Sequence, residues 1–146
     1  MLQIRKILHP TDFSEPSQAA FDLACALARD YGARLLIVHV YPPPPVYAPD
    51  GIAIPFPAEE PLALQNRLAA IKPTDSRISY EHRLVEGDPA EKILELANSE
   101  HVDLIVMGTH GTTGLARLLV GSVAESVLRK APCPVLTVRA LTPSST

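Results

Sequence analysis

The sequence predicts one α/β domain built on a doubly wound five-stranded parallel sheet, with helices on both faces. Strand-like and helix-like segments alternate along the chain, the order typical of parallel sheets with right-handed crossovers. Two strand candidates are nearly continuous apolar runs, as central parallel strands are when both faces are covered. A length of 146 residues is near the commonest domain size, and 47% hydrophobic residues are enough to build a core.

Five segments are interpreted as strands. The two apolar runs are residues 35–40 and 103–107, and we expect both to be central. Residues 4–9 form the first strand. Residues 78–85 form the third, in which apolar positions alternate only loosely. The last is Val135–Val138, at the end of the chain and therefore expected at a sheet edge.

Four segments show helical patterning, with apolar residues three and four apart. The first, residues 15–31, is followed by Gly32, a residue that commonly ends helices. The others are residues 61–71, 89–99 and 123–129. The residues expected to face the core are Ala20, Leu23, Ala24, Leu27 and Tyr31 in the first helix, Leu62, Leu64, Leu68 and Ile71 in the second, Ala90, Ile93, Leu94 and Ala97 in the third, and Val123, Ala124, Val127 and Leu128 in the fourth.

Three of the helices open with the spacing of a capping box, in which the first side chain caps a backbone N–H and a glutamate reaches back. For the first helix, Ser14 is a second candidate for the cap. The three pairs are Asp12 with Glu15, Asp88 with Glu91, and Ser122 with Glu125.

The stretch of residues 42–57 interrupts the alternation, because it holds seven of the fifteen prolines. Proline cannot continue a regular helix, so an extended, partly polyproline-like loop is expected. A lid, a binding surface and a tolerated surface insertion all remain open for this loop.

Composition excludes several classes of protein. A net charge of −3 argues against a nucleic-acid binder, and the absence of an eighteen-residue apolar run argues against a membrane span. The first eight residues are too short and too charged for a signal peptide, so a cytoplasmic protein is expected. Cys25 and Cys133 lie in no CxxC motif, and the five histidines lack metal-binding spacing, so no metal site is predicted.

Four turns follow the carboxyl ends of predicted strands, where ligands bind in open α/β sheets. They comprise residues 9–12, 40–41, 86–88 and the segment from Gly108 onward. If the first and fourth strands are neighbours, Asp12 and Gly108 face each other across one crevice.

The segment from Gly108 to Ser122 carries the strongest functional signal. Gly108-x-x-Gly111 is followed by nine residues and then Gly121-Ser122, between an apolar strand and a helix. Glycine lets the backbone come close to a ligand, and a helix N-terminus offers unpaired N–H groups to an anion. We therefore expect the phosphate chain of a nucleotide here. Asp12 and Ser122 acting only as helix caps, and the glycines acting only as turn formers, are the alternatives.

These motifs resemble the universal stress protein family, in its ATP-binding subgroup. The glycine pattern matches, and so do residues 7–14, 36–40, 103–111 and 132–138, so that the resemblance covers residues 3–139 in order. It implies an adenine nucleotide alpha hydrolase-like fold with strand order 3-2-1-4-5, and a bound ATP.

The resemblance also implies the binding residues. Asp12 meets the ribose or adenine, the Val40 backbone pairs with the adenine edge, and Met107 and Gly108 line the base and sugar. Magnesium is expected with ATP, held mainly by phosphate oxygens and water. Phosphates are assigned to Gly111, Gly121, Ser122 and Val123, and the neighbouring Pro10, Thr11 and His110 complete the predicted set.

The leading hypothesis is therefore an ATP-binding regulator of stress response or signalling without dedicated catalysis. One alternative is a slow ATPase or nucleotidyl-transfer enzyme on the same fold, although no His-x-Gly-His, Ser-Gly-Gly-x-Asp-Ser or Gly-Lys-Ser/Thr signature is present. Another is a ligand-free dimeric interaction module. The resemblance implies a homodimer formed through the edge strand Val135–Val138, since an exposed apolar edge invites pairing with a second copy.

Overall fold

The computed structural model describes residues 2–43, 49, 51, 60–109 and 121–139. Its five strands are all parallel and lie in the order β3-β2-β1-β4-β5, which confirms the predicted fold class. In chain order the elements are β1 (Lys6–Pro10), α1 (Glu15–Tyr31), β2 (Arg34–Tyr41), α2 (Pro61–Ala69), β3 (Tyr80–Glu86), α3 (Pro89–Ser99), β4 (Leu104–Gly108), α4 (Ser122–Lys130) and β5 (Val135–Val138).

The strand order reverses at β1, which lies at the centre of the sheet. On one side β1 pairs with β2 along its whole length, and on the other it pairs with β4 at Ile7 and Leu8. In a doubly wound sheet this reversal is the switch point, where the loops at the carboxyl ends of β1 and β4 diverge and leave a crevice.

The core consists of one apolar layer on each face of the sheet. On the first face, Ile7 of β1 packs with Ala20, Phe21 and Ala24 of α1 and with Leu68 of α2. Successive strand residues point to opposite faces, so the next β1 residue, Leu8, packs on the second face. There α3 and α4 complete the apolar layer. That second layer includes Leu8, Ile93, Ala97, Ala124 and Val127.

Several residues predicted to face the core are exposed, and these predictions were wrong. The buried face of α1 consists of Phe21 and three small residues, Ala20, Ala24 and Ala28, so the helix lies close to the sheet. This face is narrower than the predicted one, and the sheet does not cover Leu23 or Tyr31. In α2, Leu64 and Leu68 are buried as predicted. The exposed ones are Leu23, Tyr31, Leu62 and Leu128.

The helix caps differ from prediction at two of the three helices. Ser14, not Asp12, caps α1 by accepting from the backbone N–H of Ser17. Asp88 caps α3 by accepting from Glu91 N–H, as predicted. At α4 the cap position is Gly121, with no side-chain cap, so Ser122 is the first helical residue and the predicted capping box is wrong there.

Gly32 ends α1 in the left-handed conformation, with φ of 66°, as expected. The proline-rich stretch 42–57 lies largely outside the described residues. None of the helices described is both long enough and apolar enough to cross a membrane.

Candidate functional site

A cleft of about 360 Å³ lies at the carboxyl ends of β1 and β4, at the switch point of the sheet. This volume is in the range of small-molecule sites. Nine of the eleven predicted binding residues line it, and the other two, His110 and Gly111, lie outside the described residues. The nine are Pro10, Thr11, Asp12, Val40, Met107, Gly108, Gly121, Ser122 and Val123.

Five further residues line the same cleft in addition to the predicted set of eleven. Pro89 and Ile93 come from the start of α3, directly after the turn at residues 86–88 that sequence reasoning had placed at the crevice. That turn was the available signal. Thr109 lies inside the Gly108–Ser122 segment that the sequence singled out, whereas no local pattern distinguished Ser17 and Ala124.

The Asp12 carboxylate is oriented by the first turn of α1. Its Oδ1 accepts from the Ser14 backbone N–H at 3.0 Å and from the hydroxyls of Ser14 and Ser17. The backbone N–H of Asp12 in turn donates to Ser17 Oγ at 3.2 Å. Within the part of the chain described, no hydrogen bond uses Oδ2, so this oxygen remains available to accept from a ligand hydroxyl or amine.

One wall of the cleft is apolar. Val40, Ile93, Met107 and Ala124 line it and are each less than one-tenth exposed. An apolar wall next to a carboxylate suits a flat heterocycle carried on a sugar, because the ring is removed from water while hydroxyl groups keep a polar partner.

The N-terminus of α4 also lines the cleft. Glu125 N–H donates to Gly121 O in the first bond of the helix, so the N–H groups of Ser122, Val123 and Ala124 precede the helical ladder. Ser122 is exposed and its hydroxyl does not cap the helix. Backbone N–H groups, a hydroxyl and the positive end of the helix dipole together make the start of α4 a candidate anion site.

Thr109 joins this anion site to the edge of the sheet. Its backbone N–H donates to Val138 O at 3.0 Å, and its carbonyl accepts from Gly121 N–H at 2.5 Å. Its side chain is buried, and Oγ1 has no hydrogen-bond partner among the residues described. A buried hydroxyl without a partner costs free energy, which a polar ligand group in the cleft could recover.

His9 and His39, near the carboxyl ends of β1 and β2, each bond a backbone carbonyl of the fold. His9 is fully buried beside Phe21, and its Nδ1 donates to Val106 O at 2.9 Å. Burial lowers the pKa of His9 to about 4, so the ring is neutral at pH 7. His39 Nδ1 donates to Thr11 O at 2.7 Å and so ties β2 to the turn that follows β1.

Acidic groups are few at the cleft. Asp12 is the only carboxylate among the described residues that line it, and Asp88 is engaged in capping α3. No group of three or more His, Cys, Asp or Glu residues suited to a metal ion occurs in the described ranges. A cation entering the cleft would therefore need ligands that arrive with the bound molecule, as phosphate oxygens do.

Gly108 is required for the packing of α1 against β4. A Cβ atom at this position would lie 2.8 Å from Pro16 C and 3.0 Å from Ser17 N, both backbone atoms of α1. The sequence predicted a ligand-approach role for this glycine, which also lines the cleft, and the structure adds a close approach of helix to strand.

Gly108→Ala is therefore expected to lower the free energy of unfolding by about 2 kcal/mol, since backbone atoms cannot move aside cheaply. Chemical denaturation measures this loss in the free energy of unfolding. Gly32→Ala is the matched control, because a Cβ there meets nothing within 4 Å and only its φ of 66° is unfavourable; the expected loss is about 1 kcal/mol. Equal losses for the two variants would contradict the steric explanation.

Comparison with known proteins supports the same fold and family. The model of the universal stress protein family matches residues 3–139. The chain belongs to the universal stress protein family. A universal stress protein of Thermus aquaticus is 39% identical over 142 residues, which cover 92% of this chain and 98% of that protein.

Solved universal stress proteins share the architecture. UspA of Lactobacillus plantarum is 27% identical, with a TM-score of 0.75, and the match covers 95% of this chain and 100% of that one. A universal stress protein in complex with cAMP is also 27% identical, with a TM-score of 0.64, and the match covers 95% of this chain and 99% of that one.

Proposed function

We propose that the cleft binds an adenine nucleotide, with ATP and Mg²⁺ as the working ligand. The observation that carries the proposal is the arrangement of three unlike surfaces around one cavity: an apolar wall, a single oriented carboxylate and the N-terminus of α4. A nucleotide presents three matching groups, namely base, ribose and phosphates.

Each described residue of the predicted set has a role in this proposal. Asp12 Oδ2 accepts from the ribose or the base, and Val40 and Met107 hold the base against the apolar wall. The N–H groups of Ser122 and Val123 bind phosphate oxygens, with Gly121 allowing close approach. Pro10, Thr11 and Gly108 shape the floor between β1 and β4, and His110 and Gly111 complete the proposed phosphate contacts.

A solved relative supports the choice of ligand class. The universal stress protein in complex with cAMP holds an adenine nucleotide on a fold of the same family. For this chain, Mg²⁺ would be held by phosphate oxygens and water, since Asp12 is the one carboxylate among the described lining residues.

The function that fits this site is that of a nucleotide-dependent regulator in the cytoplasm without dedicated catalysis. Hydrolysis of ATP needs a group that activates water, and Asp12 already accepts hydrogen bonds from Ser14 and Ser17. A slow ATPase is the second candidate, favoured only by one carboxylate oxygen in the same cleft, Asp12 Oδ2, that accepts no hydrogen bond from the described residues.

Calorimetric titration separates these possibilities. ATP, ADP, AMP and cAMP would be titrated into the nucleotide-free protein, with and without Mg²⁺, and phosphate release followed in parallel. Saturable ATP binding with negligible release supports the regulator. Steady turnover supports the ATPase, and the absence of binding by any nucleotide leaves the ligand-free interaction module.

A homodimer through β5 is part of the same proposal. β5 is an edge strand, and Leu136 is 40% exposed on it. The carbonyls of Pro134 and Val138 accept from the N–H groups of Ile105 on β4 and of Thr109, the residue that follows β4. Because backbone groups of successive strand residues point in opposite directions, those of Val135 and Thr137 point to the free edge, available to a second copy.

Thr137→Pro is expected to convert the dimer into a monomer, because it removes an outward N–H without removing a donor to β4. Analytical ultracentrifugation measures the oligomeric state. Leu136→Ala serves as a milder variant that keeps all backbone donors and should weaken the dimer without abolishing it. A Thr137→Pro protein that folds and still sediments as a dimer would place the interface elsewhere.

A further inference from the structure

The turn that carries Asp12 contains an unfavourable backbone conformation. Phe13, the residue after Asp12, has φ of 66°, in the left-handed region that residues other than glycine rarely adopt. Such a conformation costs free energy and persists only where the surrounding structure fixes it. The contacts of Phe13 are therefore informative about what holds Asp12 in place.

The Phe13 ring contacts two side chains from other parts of the fold. The His39 ring, on β2, lies with its centroid 4.5 Å away at an interplanar angle of 42°. The guanidinium of Arg67, on α2, lies 4.2 Å from the Phe13 centroid, a cation–π distance. Phe13 is thus held between β2 and α2 by its side chain and not by its backbone preference.

His39 also holds Thr11, the residue that precedes Asp12. His39 Nδ1 donates to the carbonyl of Thr11 at 2.7 Å, and Thr11 Oγ1 accepts from the Phe13 backbone N–H at 3.1 Å. The residues on both sides of Asp12 are therefore tied to His39. The Asp12 carboxylate itself is bonded to Ser14 N–H, one residue beyond Phe13.

From these contacts we infer that Arg67 is a positioning residue for the ligand site, acting through Phe13 and His39 to hold the Asp12 carboxylate in its orientation. Arg67 does not line the cleft. Because Arg67 lies on α2, its contact with the Phe13 ring makes the conformation of the turn that carries Asp12 depend on where α2 packs. The consequence for nucleotide affinity rests on the proposed function, whereas the ordering of the turn does not.

Amide hydrogen exchange tests the ordering of the turn without any ligand. In Arg67→Ala, the Ser14 amide bonded to Asp12 is expected to exchange about five- to tenfold faster, the factor that corresponds to losing one cation–π contact. Glu91 N–H, bonded to Asp88 at 3.0 Å in the cap of α3, is the control amide and should not change. Unchanged exchange at Ser14, or equal acceleration at both amides, overturns the inference.

ATP titration tests the consequence for the site. Arg67→Ala should weaken binding by about three- to tenfold, and Arg67→Lys, which keeps a cation over the ring, should recover most of the loss. Arg77→Ala removes the same charge from a residue bonded to Asp75 in its own loop, and should leave affinity unchanged. In an Asp12→Ala background, Arg67→Ala should have no further effect.

The two experiments fail in different ways. If the native protein binds no nucleotide, the proposed function fails and amide exchange alone decides the role of Arg67. If the native protein binds ATP but Arg67→Ala and Arg77→Ala weaken it equally, the effect is one of net charge and the positioning role is wrong. Additive losses for Asp12→Ala and Arg67→Ala would likewise contradict action through Asp12.

Discussion

Acidification from pH 7 to pH 4 is expected to lower the free energy of unfolding by about 3 kcal/mol through His9 alone. Burial lowers the pKa of His9 from 6.5 to about 4 in the folded protein. The unfolded chain therefore takes up a proton as the pH falls through 6.5, while the folded protein does so only near 4. The stabilisation is complete above pH 6.5 and is lost across this window, at about 1.4 kcal/mol per pH unit.

The test compares the native protein with His9→Gln by urea denaturation at several pH values. Glutamine does not titrate, so the variant should lose stability less steeply between pH 6.5 and 4, even if it is less stable at pH 7. The difference in free energy of unfolding between the two proteins should therefore shrink as the pH falls. A difference that stays constant from pH 7 to 4 would show that His9 is not held neutral by burial.

Asp12→Ala is expected to weaken ATP binding by about 100-fold. A hydrogen bond to a charged group contributes about 1.5–3 kcal/mol, and 1.4 kcal/mol is tenfold in affinity. The variant also removes the acceptor that orders Ser14 and Ser17. Asp12→Asn keeps that acceptor and loses the charge, so its affinity should lie between those of Asp12→Ala and the native protein.

Asp88→Ala is the matched control for the Asp12 variants. Like Asp12, Asp88 follows a strand and accepts a hydrogen bond at the start of a helix, but it does not line the cleft. Its replacement should cost about 1 kcal/mol of stability, the usual effect of losing a cap, and leave the ATP dissociation constant unchanged. Similar ATP affinities for Asp12→Ala and Asp88→Ala would show that Asp12 does not contribute to ATP binding.

The strands and helices were predictable because their signals are local. The apolar runs at 35–40 and 103–107 identify buried parallel strands, and β5 and two helices, α1 and α3, have the predicted bounds. The strand order came from family resemblance and not from periodicity, since no local pattern states which strands are neighbours. The order then brings Asp12 and Gly108 to one cleft, as expected for adjacent β1 and β4.

Features that depend on packing could not be predicted. The spacing of Asp12 and Glu15 fits a capping box, yet Ser14 takes the cap because Asp12 turns back to accept from Ser14 and Ser17. Leu23 has the right spacing for burial but lies on the side of α1 that the sheet does not cover. The close approach of α1 to Gly108 is likewise set by tertiary packing.

The nucleotide site is tested most directly by an ATP titration followed through the amide signals of the isotope-labelled protein. We expect the signals of Asp12, Val40, Ser122 and Val123 to shift together with one dissociation constant, while those of α2 and the amino end of β3 change little. Shifts clustered away from the carboxyl ends of β1 and β4, or none at saturating ATP and Mg²⁺, would contradict it.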